Sequence, residues 1–438
     1  MNNKRGLLLV ILSIILVCCS TNKNETTDVT SEVLIEWNKA IMETAIAEDN
    51  LLTLKGLRTT AMVHLAMHDV LNSIVPKYNP YVYHETMTDG DPITSVAFTA
   101  YTIAIDQYPG KKAVFDSLLH KYTTEEYDKR VPAQKLGEAA ARAILDSRKG
   151  DRWNGEEEYT LHPMAPGVYA EFNEHSGTPE GFVFGAGWAA AVPFALPKSD
   201  HFRVPPPPNI NSPAYTEAFN EVKAVGSHDS KIRTADQSHL AMWWKEFVES
   251  SHNALLRDLV VKENVKLWEA TRTFALMNMA IYDGYVNVFD NKFYYNHWRP
   301  YTAIRWAAND GNSDTEEDTD WNNLHKHTYP FPSYPSAHGT ASTSAMTVMA
   351  NTLGKGDAYF FTMTQHEVDS AGFFSGKMKM IPPTRTFKSF SEAGLEAAMS
   401  RVYLGIHFRY DSEEGNRLGA KVGQYVTDNF LDPLYRGN

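Results

Sequence analysis

Three short blocks in the last third of the chain constrain its fold most, because their side chains make chemical sense only if tertiary structure brings them to one point. They are Lys292 and Arg299-Pro300 in KFYYNHWRP, Pro335-Ser336-Ala337-His338, and Arg401 through His407 to Asp411 in SRVYLGIHFRYD. Together they supply cations, a hydroxyl, imidazoles and a carboxylate. A tetrahedral oxyanion needs cations and neutral donors around its oxygens, an imidazole on its central atom and an acid/base nearby. The blocks provide each of these.

Their spacing adds to the composition. Lys292 and Arg299 are seven residues apart, about two helical turns, which predicts that both leave one face of a helix. His407 and Asp411 are four apart, so the carboxylate can hold one imidazole nitrogen and leave the other for chemistry. Ser336 and His338 run straight into TASTSAMTVMANTL, which reads as a helix. A hydroxyl, an imidazole and free amides at a helix N-terminus suit an anion.

In this form the blocks resemble the three-part motif K-x6-R-P, P-S-G-H and S-R-x5-H-x3-D of the type 2 phosphatidic acid phosphatase and vanadium-dependent haloperoxidase superfamily. The one departure is Ala337, which stands where that motif has glycine and bears on any backbone geometry there that needs a positive φ. WRPYTAIR resembles the soluble haloperoxidase branch, and the similarity extends upstream through PFALPKSDHFRVPPPP, EVKAVG, IRTADQSHLAMWW and AIYDGY, with a weaker echo in AMHDVLNS. The resemblance implies an all-α helical bundle. It makes Lys292, Arg299 and Arg401 the cations, Ser336 and the Ala337 amide the neutral donors, and His338 the acid/base. His407 would be the ligand of vanadium in a haloperoxidase, or the nucleophile of a phosphatase, with Asp411 as its partner.

Two chemistries follow from the resemblance. One is a haloperoxidase with vanadate as cofactor and hydrogen peroxide and halide as substrates. The alternative is an acid phosphatase that hydrolyses phosphate esters through a phosphohistidine and needs no cofactor. A non-catalytic oxyanion-binding lipoprotein is a third reading, suggested only by Ala337. Phe331, seven residues before His338, matches fungal chloroperoxidases rather than algal bromoperoxidases, which carry His there, and also reads as an aromatic wall of the site.

The N-terminus reads as a processing signal. Lys4 and Arg5 precede the apolar run Leu7 to Leu16, and Leu16-Val17-Cys18-Cys19 resembles a lipobox. This predicts a signal peptide over 1–18, a lipidated Cys19, a polar tether over 19–31 and a body over 32–438, with the motif core at about 265–430. The implied location is the cell envelope, periplasm-facing or surface-exposed, with the membrane reached only through the lipid. A plain transmembrane anchor or secretory signal is the alternative. The chain's two cysteines both lie in this segment, so the body holds no disulfide or thiolate metal site. A net charge of −12 with scattered Lys and Arg disfavours a nucleic-acid partner, and oligomeric state stays open.

Apolar residues recur at helical spacing through most of the body. The pattern predicts helices over 32–48, 57–74, 94–106, 134–147, 234–251, 253–263, 265–287, 297–309, 340–353, 357–369, 390–406 and 412–429, with another starting near Ala214. Residues 149–213, rich in Gly and Pro, predict an irregular strap. Asp283 is a candidate partner for an arginine, and His325 and His327 could approach the mouth of the site. His64, His68 and Asp69 have metal-like spacing but read better as buried polar contacts.

Overall fold

The computed structural model describes residues 27–49, 53–155, 159–170, 182–372 and 375–434. The signal segment, Cys19 and most of the tether lie outside them. Of the structure, 57% is helical and the strands form only two small sheets, so the class is all-α. No described helix is long and apolar enough to cross a membrane.

The first half of the chain folds α1 (Glu32–Asp49), α2 (Leu54–Ile74), α3 (Pro92–Gln107), α4 (Lys112–Tyr122) and α5 (Tyr127–Ser147). α2 is buried along nearly its whole length although it carries Arg58, His64, His68 and Asp69, and these groups find internal partners, Arg58 on the Asp151 carboxylate at 2.6 Å and Asp69 on the amides of Tyr81, Val82 and Tyr83. After the strap come α6 (Pro213–Val225), α7 (Ala235–Trp243), α8 (Val248–Lys262) and α9 (Leu267–Tyr295). The short α10 (Pro300–Arg305) leads to α11 (Ala337–Thr352), and α12 (Phe390–Leu404) and α13 (Arg409–Asn429) end the fold. α9 is the central helix, packed on α2 on one side and on α11 on the other. A single buried apolar cluster contains residues from Val33 to Leu431.

Two devices position the site. The first joins α11 to α13 through Gly415, Gly419 and Gly423, which recur every fourth residue on one face. A Cβ at these positions would lie 2.4 Å from the Ser336 carbonyl, 2.3 Å from that of Thr340 and 2.7 Å from that of Ser344, so only glycine lets the backbones come this close. The second is a ladder of polar side chains on α9. Asp283 accepts the amides of Phe194, Ala195 and Leu196 at 2.6–2.8 Å, Asn287 donates to the Ser199 carbonyl, and Asn291 donates to the Phe202 carbonyl at 2.9 Å while accepting the Val204 amide. This ladder satisfies the backbone of a proline-broken strap that cannot satisfy itself.

The structure departs from the sequence expectations in several places. Residues 357–369 are not a helix: β1 (Phe361–Thr364) and β2 (Glu367–Asp369) pair antiparallel with β4 (Thr384–Phe387) and β3 (Lys377–Lys379) respectively. Phe361 and Met363 are buried while Thr362 and Thr364 are exposed, a period of two whose partner strand lies some twenty residues downstream and out of reach of a local reading. The break between α7 and α8 falls at 244–247 rather than at 252, and α10 stops at Arg305 rather than 309. Helix α4, over 112–122, was not among the expected elements. The strap carries only one described 3₁₀ turn, Ala186–Ala190, as its composition requires.

Candidate active site

Lys292 and Arg299 do not share a helix. α9 ends at Tyr295, where Asn296 turns left-handed at φ 47°, and Arg299 is the N-cap of α10. The turn, rather than helical periodicity, brings the two cations together. Both guanidinium and ammonium are fully buried and are held by carbonyls of the segment before His338. Lys292 Nζ donates to the carbonyls of Pro332 and Ser333 at 2.9 and 2.7 Å, and Arg299 Nε donates to that of Phe331 at 2.9 Å. The Phe331 ring covers both, 5.2 Å from Lys292 Nζ and 4.7 Å from the Arg299 guanidinium carbon.

The second block forms the start of α11. Ser336 is the N-cap and accepts the Gly339 amide at 3.2 Å, Ala337 is the first helical residue, and His338 follows. Ala337 therefore needs ordinary helical dihedrals, and it is not among the residues with positive φ. Its methyl group is accommodated at the cavity wall. The first amides of a helix have no intrahelical acceptor, so this turn presents donors as well as the His338 ring.

In the third block Arg401 ends α12, while His407 sits in the turn before α13. Asp411, in the first turn of α13, reaches back so that its Oδ2 accepts from His407 Nδ1 at 2.9 Å and from the Phe408 amide at 3.1 Å. Ser333 Oγ donates to the same carboxylate oxygen and lies 3.2 Å from His407 Nδ1. A carboxylate facing Nδ1 fixes the proton there, leaving the Nε2 lone pair available. Arg299 Nη1 donates toward that Nε2 at 3.2 Å and to the Ile406 carbonyl at 3.0 Å. Arg401 makes only long contacts, 3.2 Å to Ser400 Oγ and 3.3 Å to the Ala241 carbonyl.

Burial dominates the electrostatics. It holds His407 well below the usual imidazole range, with Arg299, Lys292 and Arg401 adding to the effect, and it lowers His338 in the same way, helped by Arg401 and His252. Both rings are neutral at physiological pH. Burial lowers Arg299 and Arg401 to about 10, and drives Lys292 well down with Arg299 assisting and Asp411 opposing. Burial also raises Asp411 to about 7, opposed by the Ser333 hydrogen bond and by Lys292 and Arg299, so the cluster gathers basic groups around one buried carboxyl. Arg299 Nη2 and His338 Nε2 have no hydrogen-bond partner among the described residues. Buried polar atoms are rarely left this way, and an anion carrying several acceptor oxygens is the group that would complete the Arg299 guanidinium. A cavity of about 110 Å³ is lined by His338, Arg401, His407, Ala337, Phe331 and a further set of aromatic side chains.

Comparisons with known proteins bear on the fold that carries these residues. Residues 272–434, which contain all three blocks, match the family of the VCPO second helical-bundle domain. That match covers a C-terminal segment rather than the whole chain. Its fold is similar to that of a bacterial vanadium-dependent iodoperoxidase, with a TM-score of 0.77 and 20% identity over 94% of this chain and 99% of that one. Holo and apo structures of a bacterial vanadium-dependent chloroperoxidase align with TM-scores of 0.64 and 0.61 at 13% identity, covering 85% of this chain and 90% and 94% of theirs. At these identities the likeness is one of fold. No curated protein matches the chain.

Other residues singled out in the sequence fall outside the cluster. Asp283 partners no arginine in it, since its carboxylate is taken by the strap amides. His64 bonds Thr60 and Asn38, His68 bonds the Asn79 carbonyl, and Asp69 accepts the amides of Tyr81, Val82 and Tyr83. They are buried structural contacts, and no group of metal-ligating residues occurs among the described residues. His325 and His327 are buried against Tyr329 behind the wall rather than at the mouth. Sequence reasoning missed Ser333, although the repeated Pro-Ser pair at 332–333 and 335–336 was a usable signal. It also missed Lys245, Glu249 and Tyr285, which line the cavity from the break between α7 and α8, the first turn of α8 and α9 respectively.

Proposed function

We propose that the protein is a vanadate-dependent haloperoxidase that oxidises halide with hydrogen peroxide. The observation that carries this reading is the geometry at His407, whose Nδ1 lies 2.9 Å from the Asp411 carboxyl while its Nε2 lies 3.2 Å from the Arg299 guanidinium. Lys292, Arg299 and Arg401 would hold the oxygens of vanadate, with Ser336 and the Ala337 amide as neutral donors, and His407 Nε2 would be its ligand. Bound there, vanadate supplies Lewis acidity that makes peroxide electrophilic toward halide. His338 Nε2, buried and unpartnered, is suited to take a proton from an incoming peroxide and return it to a departing oxygen. Asp411 and Ser333 keep the His407 ring oriented, and the aromatic wall restricts water.

A paired assay on the purified protein tests the reading. The expected result is inactivity without vanadate, halide oxidation restored by adding it, and competition by phosphate for the same cations. Hydrolysis of phosphate esters by vanadate-free protein, with no halide oxidation at saturating vanadate and peroxide, would replace it with the phosphatase reading. The leader assigns the enzyme to the cell envelope through a lipid on Cys19. Mass spectrometry of the native N-terminus checks this, and an unmodified residue there would refute it.

A further inference from the structure

The cavity holds a basic side chain that the three motif blocks do not contain, Lys245, which burial and the neighbouring Arg401 lower to about 7, so that it carries its charge at neutral and lower pH. Lys245 lies in the break between α7 and α8 and lines the same cavity as His338, Arg401 and His407. Its Nζ donates to the carbonyls of Asp369 and Ala371, on the β2 side of the sheet insertion. An ammonium has three donors, so two carbonyls leave one for a ligand. Among the described residues Lys245 forms no ion pair with a carboxylate. The nearest acidic candidate, Asp369, pairs with Lys377 at 2.8 Å.

The surroundings indicate the kind of ligand. Two other carboxyls line the cavity, Glu246 and Glu249, and burial raises both, Glu249 to about 7, where its Oε2 accepts from the Tyr285 hydroxyl at 2.9 Å. Below about pH 7 Glu249 is protonated and repels an anion little. One side of the wall is aromatic, with Phe184, Trp188, Phe289 and Phe331. Trp188 packs on Phe289 at 4.8 Å and Phe331 on Phe289 at 5.3 Å, which makes the surface continuous. A compact point charge with a single spare donor beside apolar rings does not satisfy a tetrahedral dianion, which needs several directional donors. It does satisfy a spherical monoanion that sheds water readily.

The geometry points to Lys245 as a halide-docking residue, which binds the halide through its ammonium on the aromatic side of the cavity and positions it for the oxyanion site at His407. This deepens the haloperoxidase reading and rests on it. Lys245→Met preserves the stem and removes the charge, Lys245→Gln is a second neutral variant, and Lys245→Arg retains a cation.

The experiment measures three quantities on the full chain: vanadate affinity by titration, the KM for iodide and bromide at saturating vanadate and peroxide, and bromide NMR line broadening, which needs no turnover. For the neutral variants we expect unchanged vanadate affinity, loss of the Lys245-dependent broadening and a halide KM raised about ten- to a hundredfold, as for loss of one hydrogen bond to a charged group. Arginine should recover most of the loss. Bromide broadening equal in wild type and in a neutral variant that binds vanadate normally would overturn the assignment whatever the activity. A halide KM unchanged in that variant would overturn it as well. If the wild type oxidises no halide yet loses its bromide broadening in both neutral variants, the haloperoxidase reading fails while halide docking at Lys245 stands.

Discussion

Gly415→Ala tests how tightly the site depends on the approach of α13 to α11. An ideal Cβ at Gly415 would lie 2.4 Å from the Ser336 carbonyl oxygen and 3.0 Å from the Ser336 Cβ, and real Cβ atoms essentially never come closer than 3.0 Å to such a neighbour. The helices must therefore separate locally by at least about 0.6 Å, the difference between 3.0 and 2.4 Å. Asp411 lies one turn earlier on α13 and Ser336 caps α11, so the displacement divides the His407–Asp411 unit from the Ser336–His338 turn. Overpacking of this kind costs about 1–3 kcal/mol, partly offset by about 1 kcal/mol from the helix preference of alanine over glycine. The larger effect is on function, since misplacing a catalytic group by about 1 Å costs about a hundredfold. Gly423→Ala is the control, because it creates a comparable clash, 2.7 Å from the Ser344 carbonyl, at the far end of the same interface. Chemical denaturation should show both variants modestly destabilised, and vanadate titration should show about ten- to a hundredfold weaker binding for Gly415→Ala alone. Equal vanadate affinity in the two variants would refute the argument that glycine at 415 sets the site geometry.

Further predictions follow from individual groups. His407→Ala should abolish vanadate binding, whereas His338→Ala should retain binding and lose turnover, as titration and steady-state assay would show. Ala337→Gly should change activity by less than about threefold, because the residue adopts ordinary helical dihedrals and glycine gains nothing there. Glu249 is raised from 4.5 to about 7, chiefly by burial. Between those values the folded protein holds a proton that the unfolded chain has released, so this stabilisation is present below pH 4.5 and is lost as pH rises to about 7. Glu249→Gln, which stays neutral and still accepts from Tyr285, should shift the stability difference from wild type by about 3 kcal/mol in the variant's favour between pH 4.5 and 7. Denaturant unfolding at the two pH values checks this, and a constant difference would contradict it.

The sequence by itself determined the helical class, most helix positions and the identity of the motif residues, because each rests on local information. Apolar period, a Ser before a helical run and a carboxylate four residues after an imidazole are all properties of short segments, and α2, α11 and the His407–Asp411 pair appear as that information predicts. Tertiary structure decided what depends on partners distant in the chain. The strands at 361–369 acquire their hydrogen bonds from 377–387, so their local sequence was ambiguous between helix and strand. Lys292 and Arg299 converge through a left-handed turn at Asn296 rather than along a helix face, since the chain must reverse to place both under the Phe331 ring. Asp283 was drawn to the strap because three amides there had no other acceptor once prolines prevented a helix. Lys245 could be recognised as part of the site only in three dimensions, where a break between two helices and a sheet insertion more than a hundred residues downstream close around the same cavity.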